Sequence, residues 1–101
     1  MVLCTAPSEE VAGDIARALV ERRLAACVNI IPTVRSIYRW QDKIEDEPEA
    51  LLLIKTHARR LDELYRAIPE LHPYEVPEGI GWQISSGLPA YLTWVSEETS
   101  S

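Results

Sequence analysis

Several things are scarce in this chain, and each scarcity excludes a class of protein. No apolar run approaches the roughly 18–20 residues of a membrane-spanning helix. Positive charge is in deficit: the formal net charge is −6 and the isoelectric point is about 4.8. Nucleic acid and anionic membrane surfaces both call for a basic stripe, so neither is an expected partner. The two cysteines, Cys4 and Cys27, form no CxxC pair, and a small secreted scaffold stapled by disulfides carries more. With only four glycines and 26% charged residues the composition is not that of a disordered segment. The opening stretch MVLCTAPSEE lacks the basic and apolar regions of a signal peptide, so the expected setting is cytoplasmic. A glycine-rich phosphate loop is absent, as is any pattern of nucleophile, base and orienting group, and nothing points to an enzyme. One asparagine, two glutamines and seven prolines match the habit of heat-stable proteins.

What is present is a long hairpin. The arms CVNIIPTVRSIYRW and KIEDEPEALLLIKT meet at Gln41-Asp42 and occupy almost a third of the 101 residues. Strands usually run to about 5–6 residues, and each arm is about twice that. Pro32 and Pro48 cannot donate to a ladder, so a bulge, bend or edge is expected at each. Beyond Pro32, Val34, Ser36, Tyr38 and Trp40 share one face, with Arg35, Ile37 and Arg39 on the other. Asp42 suits a positive φ in the turn.

The remaining segments fall around this hairpin. Val2–Thr5 reads as a buried strand. Ser8 is placed to cap a helix reaching about Arg22, with Glu9 and Glu10 in its first turn and Val11, Ile15 and Leu19 at four-residue spacing. Thr56 is placed to cap a second helix over about 57–70, striped by Leu61, Leu64, Tyr65 and Ile68, with Pro69 marking a frayed end. His72-Pro73 is extended. Val76 to Ile84 reads as a last strand, weakened by Gly79 and Gly81. A short helix follows at about 90–95, and the tail SEETSS is expected to be loose. The order is βαββαβ within a single domain, 1–101. It matches the α+β ferredoxin-like arrangement, an antiparallel sheet with both helices on one face, here with an extended central hairpin and a short C-terminal helix. The bare face of such a sheet needs cover, and self-association is the economical way to supply it.

Five stretches, VLCTAP, ERRLAACVNIIP, SIYRWQDKIEDEPEALLLIKT, HPYEVPE and YLTWV, together resemble the CutA family of divalent cation tolerance proteins. The resemblance runs from Leu3 to Val95. It implies the ferredoxin-like fold and a tight homotrimer similar in architecture to the PII signalling proteins. It further implies a role in tolerance to copper and other divalent metals, copper binding in some members, and no established catalysis. Cys4 and His72 match the copper ligands proposed for the family, a thiol and an imidazole that suit copper. The family's histidine next to that position is Leu71 here, and its turn glycine is Asp42. Gly79, Gly81 and Trp82 stand where the family has bulky aliphatics.

Each candidate also has a plainer reading. Cys4 and Cys27 can be small buried hydrophobes, and His72 a structural histidine. Glu45, Glu47 and Glu49 share a strand face at roughly 7 Å spacing. With Asp42 and Asp46 they make an acidic rim able to hold hard cations loosely, or simply a solvated edge that blocks stray pairing. Arg35 and Arg39 are placed to pair with these glutamates across the hairpin or across a subunit boundary. Tyr38 and Trp40 are expected at an interface. Lys55, His72, Tyr74 and Glu75 are candidates to line a cleft between subunits, with Lys55 and Glu75 alternatively an ordinary ion pair. Two functions follow: a trimeric cytoplasmic protein of metal tolerance, binding copper or another divalent cation, or a PII-like trimer that binds a small molecule or protein in its clefts.

Overall fold

The computed structural model describes residues 1–100. Its strands are β1 (Val2–Ala6), β2 (Cys27–Trp40), β3 (Lys43–Lys55) and β4 (Ile80–Gly81). The helices are α1 (Glu9–Glu21), α2 (Leu61–Leu71) and α3 (Pro89–Glu98), with a 3-10 turn at Ala58–Arg60 leading into α2. All pairings are antiparallel and the sheet order is β2-β3-β1-β4, the ferredoxin-like arrangement expected from the element order. Alternation along the strands decides which face is covered. Val2, Cys4 and Ala6 of β1 and Ala50, Leu52 and Ile54 of β3 are fully buried. They pack against Ala12, Ile15 and Leu19 of α1 and Leu64 and Ile68 of α2.

The hairpin sets the length of the molecule. Fourteen residues of β2 at about 3.3 Å each would span roughly 46 Å, close to the 44 Å long axis. Only its base is shared with other strands. β1 pairs with β3 from Ile54 to Ala50 and stops there. At that level β2 carries a bulge: Ile31 pairs with Leu51 but Val34 pairs with Glu49, so Pro32 and Thr33 together face Ala50. Beyond it, Val34–Trp40 and Glu49–Lys43 form a two-stranded ribbon. Pro48 causes no shift, since the ladder runs in register through Arg35 and Pro48. It lies past the end of β1, on an edge where a missing donor is tolerated. At the tip Gln41 and Asp42 both have positive φ, 49° and 64°, the conformation of a two-residue turn matched to the strand twist.

The helices confirm some boundaries and move others. Ser8 Oγ accepts the Val11 N–H at 3.1 Å, as its capping position predicts. α1 ends through Arg23 in the left-handed region (φ 58°), with Leu24 N–H donating to the Leu19 carbonyl at 3.0 Å. Thr56 does not cap the second helix. The His57 ring accepts the Arg59 N–H at 3.1 Å instead, and Thr56 Oγ1 is buried without a partner. α2 runs through Pro69 to Leu71 rather than fraying there.

The last strand is far shorter than the expected Val76–Ile84. Its ladder is Val2 with Gly81 and Leu3 with Ile80, extended by the Trp82 N–H donating to the Met1 carbonyl at 3.0 Å. Pro77 offers no donor. At Gly81 a Cβ would lie 2.7 Å from the Tyr65 hydroxyl, so glycine is what lets the strand approach α2. The tail is not loose through Ser100. α3 reaches Glu98, Thr99 is buried, and its hydroxyl donates to the Val95 carbonyl at 2.8 Å. Arg23 meets the Glu98 carboxylate at 3.5 Å, and Arg59 binds Ser96. These cations sit against the C-terminal end of α3, where the helix dipole favours them.

Leu52→Ala should cost about 2–5 kcal/mol, because the side chain is fully buried in the core between sheet and helices. Urea unfolding would report it as a lower midpoint at unchanged slope. A loss under about 1 kcal/mol would contradict this placement of the core.

Candidate functional site

The site is built where β1 stops and the ribbon begins. α2 ends at Leu71 and is followed by His72, whose extended backbone (φ −100°, ψ 137°) is what the following proline demands. The turn swings the imidazole onto β1. Its Nε2 lies 2.6 Å from the Thr5 carbonyl oxygen, and its Nδ1 accepts the Tyr74 N–H at 3.1 Å. A nitrogen that accepts a proton donor is unprotonated, so Nε2 bears the hydrogen and donates to Thr5. The same carbonyl accepts from the Cys4 thiol at 3.6 Å. Cys4 and His72 are thus brought together on one backbone oxygen.

Tyr74 continues the construction. Its ring lies against the His72 ring, centroids 4.6 Å apart and planes tilted by 47°, and its hydroxyl donates to Glu49 Oε2 at 2.8 Å. Glu49 is only 8% exposed. It immediately precedes Ala50, the first residue of β3 that β1 covers, and the segment after α2 closes over it. Between that segment and the ribbon lies a groove of about 780 Å³, lined by Tyr38 and Trp40 from the ribbon and by Tyr74, Glu75 and Glu78 from the loop, with Glu49 and Thr5 also lining it.

Electrostatics follow from burial and sign. The Cys4 thiol is pushed up to about 12, first by burial and then by the negative charges of Glu78 and Glu49. It is a thiol, not a thiolate, at neutral pH. Glu78 is raised by burial and by Glu49. Tyr74 is raised by burial and by its bond to Glu49. To ligate a metal, Cys4 would have to lose its proton and His72 one of its two hydrogen bonds. Among the described residues, no three His, Cys, Asp or Glu side chains are grouped so as to hold a metal ion.

The other candidates separate. Glu45, Glu47 and Glu49 do share a face, opposite Tyr38, Ser36 and Val34 respectively. Tyr38 donates to Glu47 at 3.4 Å. Arg35 does not pair with these glutamates, because alternation puts it on the other side of the ribbon. There it grips Asp46 with two bonds of 2.9 and 2.7 Å, which hold the Asp46 carboxyl below its usual range. Lys55 pairs with Cys27 at the base of the hairpin and lines a second cavity of about 620 Å³ with Trp82 and Tyr91. It does not meet Glu75 within the chain. Both cysteines are free, Cys4 buried and Cys27 half-buried.

Two residues of the groove escaped sequence reasoning. Glu49 was grouped with its exposed neighbours, and Glu78 drew no notice. The one available signal for Glu49 is its position immediately before the apolar run Ala50–Ile54, which puts it at the sheet's rim. The tyrosine that covers it lies 25 residues away.

Residues 1–98 match the model of a family described as CutA1 divalent ion tolerance protein. The chain is 52% identical over 99 residues to a divalent-cation tolerance protein CutA of Thermus thermophilus, covering 98% of this chain and 96% of the relative. A solved Thermus structure of that description superposes with a TM-score of 0.94. A PII-like protein CutA from Nostoc, in apo form, is 37% identical with a TM-score of 0.91, covering 98% of this chain and 95% of the other. The Xenopus laevis CutA homolog is 50% identical over 93 residues, 92% of this chain but 62% of the relative, and the human protein is matched over 54% of its length. The chain therefore spans between 54% and 65% of the length of the vertebrate relatives it matches.

The raised Cys4 pKa makes stability pH-dependent. Above pH 9, the ordinary value for an exposed thiol, the unfolded chain gives up this proton while the folded chain keeps it. Stability then falls as pH rises, by about 1 kcal/mol between pH 9 and 10 on this account. Cys4→Ala removes that component. Urea unfolding of both proteins across this range should give converging stabilities, and parallel curves would refute the assignment.

Proposed function

The chain belongs to the CutA1 divalent ion tolerance family, and from that membership we propose that it acts as a cytoplasmic homotrimer that binds copper or another divalent cation in support of metal tolerance. Cys4 and His72 are the proposed ligands. The observation that carries this reading is their convergence on the carbonyl of Thr5, a residue that also lines the acidic groove. A soft cation can displace the thiol proton, and Glu49 and Glu78 lower the local potential for it. Binding through Cys4 then releases a proton and tightens as pH rises. The free thiols suit a reducing compartment.

The trimer is supported by the ribbon. Ile37 and Ile44 are each 62% exposed on one side, and Tyr38 and Trp40 each 38% on the other. A two-stranded ribbon with apolar groups on both sides is marginal alone in water. Pairing with neighbouring copies would cover it.

One feature favours a second reading, that of a PII-like trimer with a small-molecule site. The groove is within the usual size range of such sites and mixes aromatic with charged groups.

Calorimetric titration of the metal-free protein with Cu(I) and with Cu(II), repeated on Cys4→Ser and His72→Ala, tests the ligand assignment. Loss of at least about tenfold in affinity is expected in each variant. Unchanged affinity in both would end the case for this metal site.

A further inference from the structure

We propose that the ribbons of neighbouring copies pack head to tail, one side of each against the opposite side of the next, so that Arg39 of one copy meets Glu45 of its neighbour. The inference rests on the trimer reading above and names the contact that holds it together.

The two sides of the ribbon carry the same layout with opposite charge. On one side Arg39 stands directly across the ladder from Ile44, with Ile37 two residues along β2. On the other side Glu45 stands directly across from Tyr38, with Trp40 two residues along. Each side is thus one charge beside two apolar groups, and the two charges occupy adjacent rungs of the ladder. All four apolar groups are exposed.

Both charges are also free. Neither Arg39 nor Glu45 forms an ion pair among the described residues, and strand alternation keeps them on opposite sides of their own ribbon. The charges around them are engaged. Arg35 grips Asp46, Glu47 accepts from Tyr38, and Glu49 accepts from Tyr74. Lys43 is the remaining ribbon cation, and it lies on the acidic side, across from Trp40.

Sign then chooses the packing. Acidic side on acidic side would set Glu45 and Glu47 of one copy against the same groups of another, and the opposite sides together would oppose two Arg39 guanidiniums. Only unlike sides attract. In that arrangement Ile37 and Ile44 cover Tyr38 and Trp40, and the guanidinium meets aromatic faces as well as the carboxylate. A contact between unlike patches leaves one side of each copy open, so it repeats until a ring closes. Tyr38 and Trp40 also line the groove that holds Glu49 and Thr5. The groove therefore gains its outer cover only in the ring, from the neighbour's side of the contact.

Subunit exchange tests the pairing: isotope-labelled and unlabelled proteins are mixed, and mixed trimers are followed by native mass spectrometry. Arg39→Glu should exchange at least about tenfold faster than the wild type, and so should Glu45→Lys. The two changes combined in one chain should return the rate to within about threefold of the wild type. Where a single variant is monomeric, recovery is read as the return of the trimer. The two residues stand on opposite sides of their own ribbon, so rescue reports a contact between copies. Lys43→Glu makes the same change in net charge as Arg39→Glu, but on the acidic side, and should exchange no faster than the wild type. Wild-type exchange in both single variants would overturn the proposal, as would a combined variant that does not recover. Equal acceleration by Lys43→Glu would overturn it too, by reducing the effect to net charge. A monomeric wild type instead defeats the trimer reading beneath it.

Discussion

The mismatch between β1 and β3 governs this structure. β1 supplies five residues and β3 thirteen, so pairing ends at Ala6 opposite Ala50. On one side of that line the hairpin is part of a four-stranded sheet with a covered face. On the other it is a bare ribbon. The β2 bulge at Pro32-Thr33 falls on the same line, so the bend coincides with the loss of the neighbour. Everything of functional interest gathers there: the Thr5 carbonyl, the rim residue Glu49, the turn at His72, and the groove between ribbon and loop.

That boundary also explains why two unlike chemistries meet. Inside it Cys4 is dry, and its thiol holds its proton. Just outside it the side chain of Glu49 is buried and that of Glu78 half-buried. His72 ties the two zones together with one bond inward to Thr5 and one outward to Tyr74. The hydrogen bonds use both ring nitrogens, so the histidine has a structural task whether or not it also meets a metal. Tyr74 repeats the tie one step further out, against Glu49.

Local signals in the sequence foretold local structure. Ser8 marks the start of α1 because its cap needs only the next three residues. Pro32 marks the bulge because a missing donor is a property of the residue itself. The hairpin division into base and tip followed from it. Where the outcome depended on distant partners the sequence was mute. Gly81 lets β4 approach the Tyr65 hydroxyl, a contact with no local trace. The tail SEETSS is polar and reads as loose, yet Arg23 and Arg59 hold the end of α3 from remote segments. Glu49 looked like one more acid in a run until Tyr74 closed over it. Arg35 was expected to seek glutamates, but strand alternation left Asp46 as the acid on its side. Cys4 and His72 entered through family resemblance rather than spacing, and the fold does bring them to one carbonyl.

We propose that the ribbon is an assembly arm, completed by other copies of the chain. Sedimentation equilibrium at micromolar concentration tests it most directly. The account predicts a species of three times the 11.4 kDa chain, dissociating when Ile37 and Ile44 are both replaced by glutamate. A stable, folded monomer of the unaltered chain under the same conditions would contradict it.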